Sequence, residues 1–419
     1  MNPSRVRYRV VGFAITLAGV TYLDRVCISI LAPKIMSDLN LTTLQMSYVF
    51  SAFTLAYAIF EMPTAWWADR IGSRRVLTRI VAWWSVFTML TGAAVSYPWL
   101  LATRFLFGAG EAGAWPNAAR VFSRWIPIAE RGRVQGIFFA GAHISGGLTP
   151  ALIAWMAMIL PWRMVFVLVG LVGFVWAALW YRWFRDEPRD QPSVTAAERD
   201  MIEGTRGLPE SHTSQGAMAE VFRTPSLLPL CLQYFSNSYG TYFFITWLPT
   251  YLNKAHGMGT TDVAIFAGLP LVFMTFSDIT GGVIADWLSR RFGTRIGCGS
   301  VGLVCYVLAA GAMFTGAVAP NPRVAGTLIA VGGAFSMFSL APSWSTVIAL
   351  GGRNTGLFSA VMNTAGQVGG FLSPIILAQS VVRYGDWSLP LKILAGLYLM
   401  AAVCWFFINP VRRPTGSQS

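Results

Sequence analysis

The sequence predicts an all-α polytopic membrane protein, with twelve transmembrane helices forming two pseudo-symmetric six-helix bundles. Three observations carry this reading. Of the 419 residues, 55% are hydrophobic and only 12% are charged, against about 25% charged in an ordinary soluble domain. Apolar runs long enough to cross a bilayer, about 20 residues each, recur at 10–32, 45–68, 76–95, 98–123, 133–158, 161–184, 226–252, 260–287, 296–316, 320–348, 354–381 and 388–409. Finally, landmarks of the first half reappear in order in the second, as in transporters built from structural repeats.

The first run follows the basic stretch MNPSRVRYRV. It is of full spanning length and has no small-residue cleavage site, so it is expected to stay in the protein and not to be removed as a signal peptide. The second and third runs meet at ADRIGSRR (68–75), and ADWLSRR (285–291) stands at the matching place of the second half. In the fifth run AHISGGLTP (142–150) parallels GQVGGFLSP (366–374) of the eleventh, which sets His143 opposite Gln367. Small residues packing helices closely would account for either stretch alone, but not for two landmarks in the same order. After the sixth run, residues 185–225 (RDEPRDQPSVTAAERDMIEGTRG and onward) are charged and rich in Pro and Gly. The expected organisation is a bundle over 1–184, a cytoplasmic linker over 185–225 and a second bundle over 226–419.

A net charge of +13 raises the question of nucleic acid, and the placement of the basic residues answers it. Most of the 31 Lys and Arg fall in the alternate loops that share a side with both termini, which is how cytoplasmic loops are marked. The chain is therefore expected in the bacterial inner (plasma) membrane with both termini cytoplasmic, in contact with lipid and not with nucleic acid, as a functional monomer. Five scattered cysteines without a CxxC pair, and three histidines in separate segments, give no metal site and no clustered nucleophile and base. No metal, no cofactor and no enzyme are expected.

Each ionisable group within a span costs about 2.5–3.5 kcal/mol on insertion scales and so needs a reason. The candidates are Asp24, Arg25, Glu61, Arg104, Glu111, His143 and Asp278. In RFLFGAGEAGAWPNAAR, Arg104 and Glu111 share a helix face about 10 Å apart along the axis, too far for direct neutralisation. An Arg fork inside a bundle suits bidentate capture of a carboxylate, from a substrate or from Asp24. Glu111 or Asp24, in an apolar setting, could take and release a proton. A static ion-pair network pinning helices is the plainer alternative. In the loop AWWADRIGSRRVL, Asp69 can cap a neighbouring helix, while Arg70, Arg74 and Arg75 serve orientation and contacts between the halves. With Asp286 and Arg290 of the repeated loop, Asp69, Arg70 and Arg74 read as a gate latch.

DRIGSRR and its repeat DWLSRR resemble the signature loop of the major facilitator superfamily, along the whole chain. More narrowly, YLDRVCISILAPKI, SAFTLAYAIFEMPTAWWADRIGSRR, RFLFGAGEAGAWPNAARVFSRWIPIAERG and WRMVF resemble the anion:cation symporter family. The resemblance implies that Arg25 binds the anionic end of a substrate, with Tyr22 and Tyr57 nearby, and that Asp24, Arg104 and Glu111 couple transport to protons. It further implies sugar-hydroxyl contacts from Trp344 and Asn363. Departures are Ala65 in place of the loop's first Gly, Glu61 in place of Gln, and His143 where sugar-acid members offer an amide. His143 is a candidate substrate contact or a hydrogen-bonded packing residue.

Neighbours on a helix diverge by about 100°, so Asp24 and Arg25 are expected to have separate partners, Arg25 at the anion site and Asp24 toward Arg104. The expected function is proton-coupled import of a small organic anion, a sugar acid (hexuronate, aldonate or aldarate) before an aromatic carboxylate. Alternating access around a midplane site and protons as coupling ion belong to that expectation. A drug/proton antiporter of the same fold usually carries GxxxGPxxGG in its fifth helix, and GAHISGGLTP lacks the central Gly-Pro.

Overall fold

In the computed structural model the described residues are 4–204, 223–351 and 355–409, with the side chains of 62, 65–70, 128, 129, 132, 355 and 356 outside that description. The chain divides into two compact units, Met1–Pro209 and Glu210–Ser419. Unit 1 contains α1 (Val6–Asp38), α2 (Thr43–Ile71), α3 (Ser73–Gly92), α4 (Tyr97–Glu111), α5 (Ala114–Trp125), α6 (Ile128–Ile159), α7 (Trp162–Trp183) and the short α8 (Ala196–Glu203). Unit 2 contains α9 (Leu227–Thr246), α10 (Leu248–His256), α11 (Thr260–Phe292), α12 (Thr294–Val318), α13 (Pro322–Met337), α14 (Leu340–Gly351), α15 (Thr355–Tyr384) and α16 (Leu389–Phe407). Among the described residues there is no strand, and nine stretches are long and apolar enough to cross a membrane.

Three of the twelve predicted runs are each two helices. The fourth breaks between α4 and α5, the seventh between α9 and α10, and the tenth between α13 and α14. Proline explains all three. Pro116, Pro249 and Pro342 lie within the first three residues of the second piece, where a missing N–H costs nothing, whereas inside a continuous helix each would remove a hydrogen bond and clash with the preceding turn. Pro150 and Pro374, the ends of the matched repeats, stay inside continuous α6 and α15.

Local rules set the other boundaries. Gly72 precedes α3 with φ +87°, a conformation open mainly to glycine. A Cβ there would come within 2.6 Å of the Asp186 carboxylate, which accepts the Arg74 backbone N–H at 3.0 Å. Asn321 caps α13 by accepting from Arg323 and Val324, ahead of Pro322 in the first turn. Gly108 lets α4 lie directly on α2, since a Cβ at 108 would run into the Phe53 carbonyl.

Part of the segment expected as linker is folded onto unit 1. Glu198 of α8 is fully buried and accepts the backbone N–H groups of Val6 and Arg7 at 3.1 and 3.2 Å, capping α1 from a distant point in the chain. The Arg7 guanidinium donates to Glu198 at 3.0 Å and, through Nε and Nη2, to both oxygens of Glu130 at 3.0 and 3.1 Å. Trp125 Nε1 donates to the Arg185 carbonyl at 3.0 Å, and Arg124 pairs with Glu187. The first turns of α1 and α6 are thereby joined to residues 185–203.

The outer surface is apolar. Met158, Val175, Phe276, Val283, Phe314, Phe406 and Phe407 are among the exposed large side chains, a pattern a water-facing surface of this extent would not tolerate and a lipid-facing one requires.

Candidate functional site

Unit 1 holds four membrane-buried charges close together, whereas Asp278 of α11, its carboxylate oxygens buried, lies in unit 2. Asp24 is buried on α1 and its Oδ1 accepts the Thr88 hydroxyl of α3 at 2.8 Å. Arg25 turns the other way and donates from Nε to Oε1 of Glu111, the last residue of α4. Its guanidinium stands 5.1 Å from the centroids of the Phe53 and Tyr57 rings of α2. Arg104 is buried on α4 with its guanidinium 4.1 Å from the Phe107 ring and 5.6 Å from Phe53, within electrostatic reach of both Asp24 and Glu111.

The two neighbours on α1 have separate partners, and Asp24 stands within electrostatic reach of Arg104 as well as bonded to Thr88. Asp24 makes its hydrogen bond with Thr88, and Arg25 is paired with Glu111. The cause is register: Arg25 and Glu111 meet across α1 and α4, while Asp24, about 100° round the helix, faces α3. Two arginines and two carboxylates give the cluster zero formal charge, as burial demands. Its hydrogen bonds are nonetheless incomplete. Asp24 Oδ2, Glu111 Oε2, and Nε and Nη1 of Arg104 are buried without a hydrogen-bond partner among the described residues. Each such atom costs about 1–3 kcal/mol.

Beside this cluster lies an aromatic wall. Tyr22 of α1 meets the His143 ring edge-on at 5.9 Å and the Trp115 ring of α5 at 6.5 Å, and Trp115 stacks on Phe139 of α6. Tyr22, Tyr57 and His143 are all buried. In unit 2 the partner of Gln367 is again a tyrosine, with Tyr242 OH 3.5 Å from its Oε1. Thus the two positions matched by the repeat, His143 and Gln367, each meet a Tyr from the first helix of their own unit.

The core of unit 2 carries a neutral network. Gln233 Nε2 donates to Ser343 Oγ at 2.9 Å, Tyr306 OH donates to Gln233 Oε1 at 3.1 Å, and Asn237 donates to the Ser336 carbonyl at 3.0 Å. Trp344 is 36% exposed, with Tyr234 edge-on at 6.2 Å, and Asn363 is half-buried on α15. Thr88, Trp115, Tyr242 and the Gln233 network were not singled out by sequence. Hydroxyls and aromatics are common in such helices, and only their pairing distinguishes them.

Of the gate-latch residues, the side chains of Asp69 and Arg70 lie outside the described residues. Arg74 is engaged within unit 1: Nε and Nη2 donate to the Tyr181 carbonyl at 2.9 and 2.6 Å, and the guanidinium lies 4.4 Å from the Tyr181 ring. The first turn of α3 is capped by the Asp186 carboxylate. Asp286 and Arg290 are exposed near the end of α11.

An all-α chain with spanning-length apolar helices and a charge-balanced cluster inside one bundle is a multi-pass membrane protein. Residues 14–374 match the model of the Major Facilitator Superfamily, and the chain belongs to that family. It is 33% identical to the probable sulfoacetate transporter SauU of Cupriavidus necator, over 97% of this chain and 95% of that one. It is 28% identical to the probable galactarate/D-glucarate transporter GarP of Escherichia coli K12, over 96% and 94%. Among solved structures it is similar to a bacterial homolog of the human lysosomal transporter Spinster in an inward-facing, occupied conformation, with TM-score 0.79 and 18% identity over 99% of this chain and all of that one.

Proposed function

We propose that the protein imports a small organic anion together with protons. The observation that carries this reading is the buried set of Asp24, Arg25, Arg104 and Glu111, neutral as a group yet short of hydrogen bonds. Protonation of Glu111 removes the charge that holds Arg25, freeing a guanidinium for a carboxylate or sulfonate. Protonation of Asp24 does the same for the field at Arg104. Anion and proton then enter together because each removes the cost the other imposes: an unpaired buried arginine on one side, an unpaired buried carboxylate on the other.

The substrate is a sugar acid on this reading, consistent with the galactarate/glucarate relative and with aromatic rings of Tyr22, Tyr57 and Trp115 suited to a sugar ring. A second reading, a short sulfonated carboxylate, is favoured by the 33% identity with the sulfoacetate transporter. The protein works as a monomer in the bacterial inner membrane, with cytoplasmic termini and alternating access. The test is uptake into proteoliposomes under an inward proton gradient, with galactarate, glucarate, hexuronate and sulfoacetate as competing substrates. Accumulation of one of them that collapses with a protonophore supports the reading, and accumulation indifferent to the gradient overturns the coupling.

A further inference from the structure

A groove of about 430 Å³ lies between α12 and α16, lined by Arg295, Ile296, Gly299, Leu303, Trp405 and Phe406, with Ser300 between them. Its volume falls within the roughly 300–1,000 Å³ of small-molecule sites. On α12 the lining positions 296, 299, 300 and 303 form one face, reaching about 12 Å down the helix from Arg295. Polarity runs along it in one direction. At the helix start Arg295 is exposed and makes no hydrogen bond or ion pair among the described residues, and Arg290 and Arg291 close α11 one short turn earlier. Below Arg295 the lining is apolar apart from Ser300, whose hydroxyl donates to the Gly297 carbonyl, and Ile296 and Phe406 are 57% and 61% exposed. Gly299 has no side chain to fill the space; a Cβ there would approach nothing nearer than the Trp405 carbonyl at 3.8 Å. The Trp405 indole N–H is buried without a hydrogen-bond partner among the described residues.

We propose that this groove binds one acidic phospholipid, its phosphate on Arg295 and an acyl chain along Gly299, Leu303 and Phe406. The charge complements an anionic headgroup at the membrane surface, and the depth and apolar lining match a chain that descends from it. The site lies wholly within unit 2 and is independent of the transported substrate.

The test is the thermal unfolding midpoint of the purified full chain in detergent, with added phosphatidylglycerol, phosphatidylcholine or inorganic phosphate. Phosphatidylglycerol is expected to raise the midpoint at least twice as far as phosphatidylcholine, and inorganic phosphate not at all. Arg295→Gln is expected to remove most of that excess while Arg290→Gln retains it. Phe406→Ala lowers the response to phosphatidylglycerol without touching a charge. Equal shifts from the two lipids, equal losses in the Arg290 and Arg295 variants, or an equal shift from inorganic phosphate would each overturn the proposal; the second would mean diffuse surface charge and the third a bare anion site.

Discussion

Arg25 on α1 donates from Nε to Oε1 of Glu111, the residue at which α4 ends. A guanidinium committed to one carboxylate and flanked by Phe53 and Tyr57 has little freedom, so its chemistry depends on whether Glu111 is charged. Arg25→Lys keeps the charge but loses the planar fork. The substrate Kd is expected to rise at least tenfold in that variant, and competition binding in detergent measures it. Glu111→Gln should leave binding within a few-fold of the parent while abolishing accumulation against a gradient.

Asp24 and Thr88 define a second, separable element. Asp24→Asn is expected to stop gradient-driven accumulation while sparing counterflow exchange, because exchange needs no net proton movement. Thr88→Val removes the single hydrogen bond to Oδ1 and should alter the pH dependence of uptake more than its maximal rate. If both variants lose exchange and accumulation together, Asp24 is merely structural.

Gly108 allows the approach of α4 to the Phe53 backbone that brings Arg104 beside that ring. Gly108→Val forces a branched side chain against a carbonyl, an overpacking cost of about 1–3 kcal/mol. A lowered unfolding midpoint and loss of substrate binding should appear together. A glycine of α6 whose Cβ would meet open space, changed in Gly136→Ala, is the control and should not lose binding or stability.

The clamp on the first turn of α1 carries a pH prediction. Hydrogen bonding from Arg7, ahead of the cost of burial, holds the Glu130 carboxyl below its usual range. Bonds from Ser388 do the same for Asp386, in the loop before α16. A carboxyl depressed in the folded state stabilises the fold above its ordinary range, about 4.3 for Glu and 3.9 for Asp, and that contribution is lost as pH falls through the lower folded value. The unfolding midpoint should therefore be flat with respect to these groups from neutral pH to about 5 and decline below about 4. Glu130→Gln should shift the midpoint down at neutral pH and flatten part of the acid decline.

Glu198→Ala leaves the Val6 and Arg7 N–H groups without their acceptor, a loss of about 1 kcal/mol or more for a helix cap. Hydrogen exchange should quicken at the first turn of α1 while the interior around Asp24 keeps its protection. Unchanged exchange at residues 6–9 would show that α8 is not the cap.

Much of the architecture is legible in the sequence because a bilayer imposes one dominant rule, a run of apolar residues per crossing. The rule is blind to interruptions. Pro116, Pro249 and Pro342 break three runs that hydropathy reads as continuous, since a proline adds nothing polar to an apolar window. The cost of a charge in lipid singles out Asp24, Arg25, Arg104 and Glu111 before any coordinates, together with Glu61, His143 and Asp278. Pairing cannot be read that way: whether Arg25 meets Glu111 or a ligand depends on the rotation of α1 against α4, set by contacts such as Gly108 on Phe53. Likewise Glu198 looks like one charge among many in a polar segment, and only the fold reveals that it closes a helix almost two hundred residues earlier.

The contrast between the charged core of unit 1 and the neutral network of Gln233, Tyr306 and Ser343 has an electrical consequence. A membrane potential does work on each charge moved across it, about 2.3 kcal/mol per elementary charge per 100 mV. The neutral network offers the field nothing to pull, and the cluster of Asp24, Arg25, Arg104 and Glu111 cancels while both carboxylates are ionised. Each proton taken up there leaves one uncompensated positive charge on the first unit until an anion arrives. On the proposed mechanism, the voltage dependence of uptake at low substrate therefore reports the protons resident on that cluster, and should fall in Asp24→Asn and Glu111→Gln.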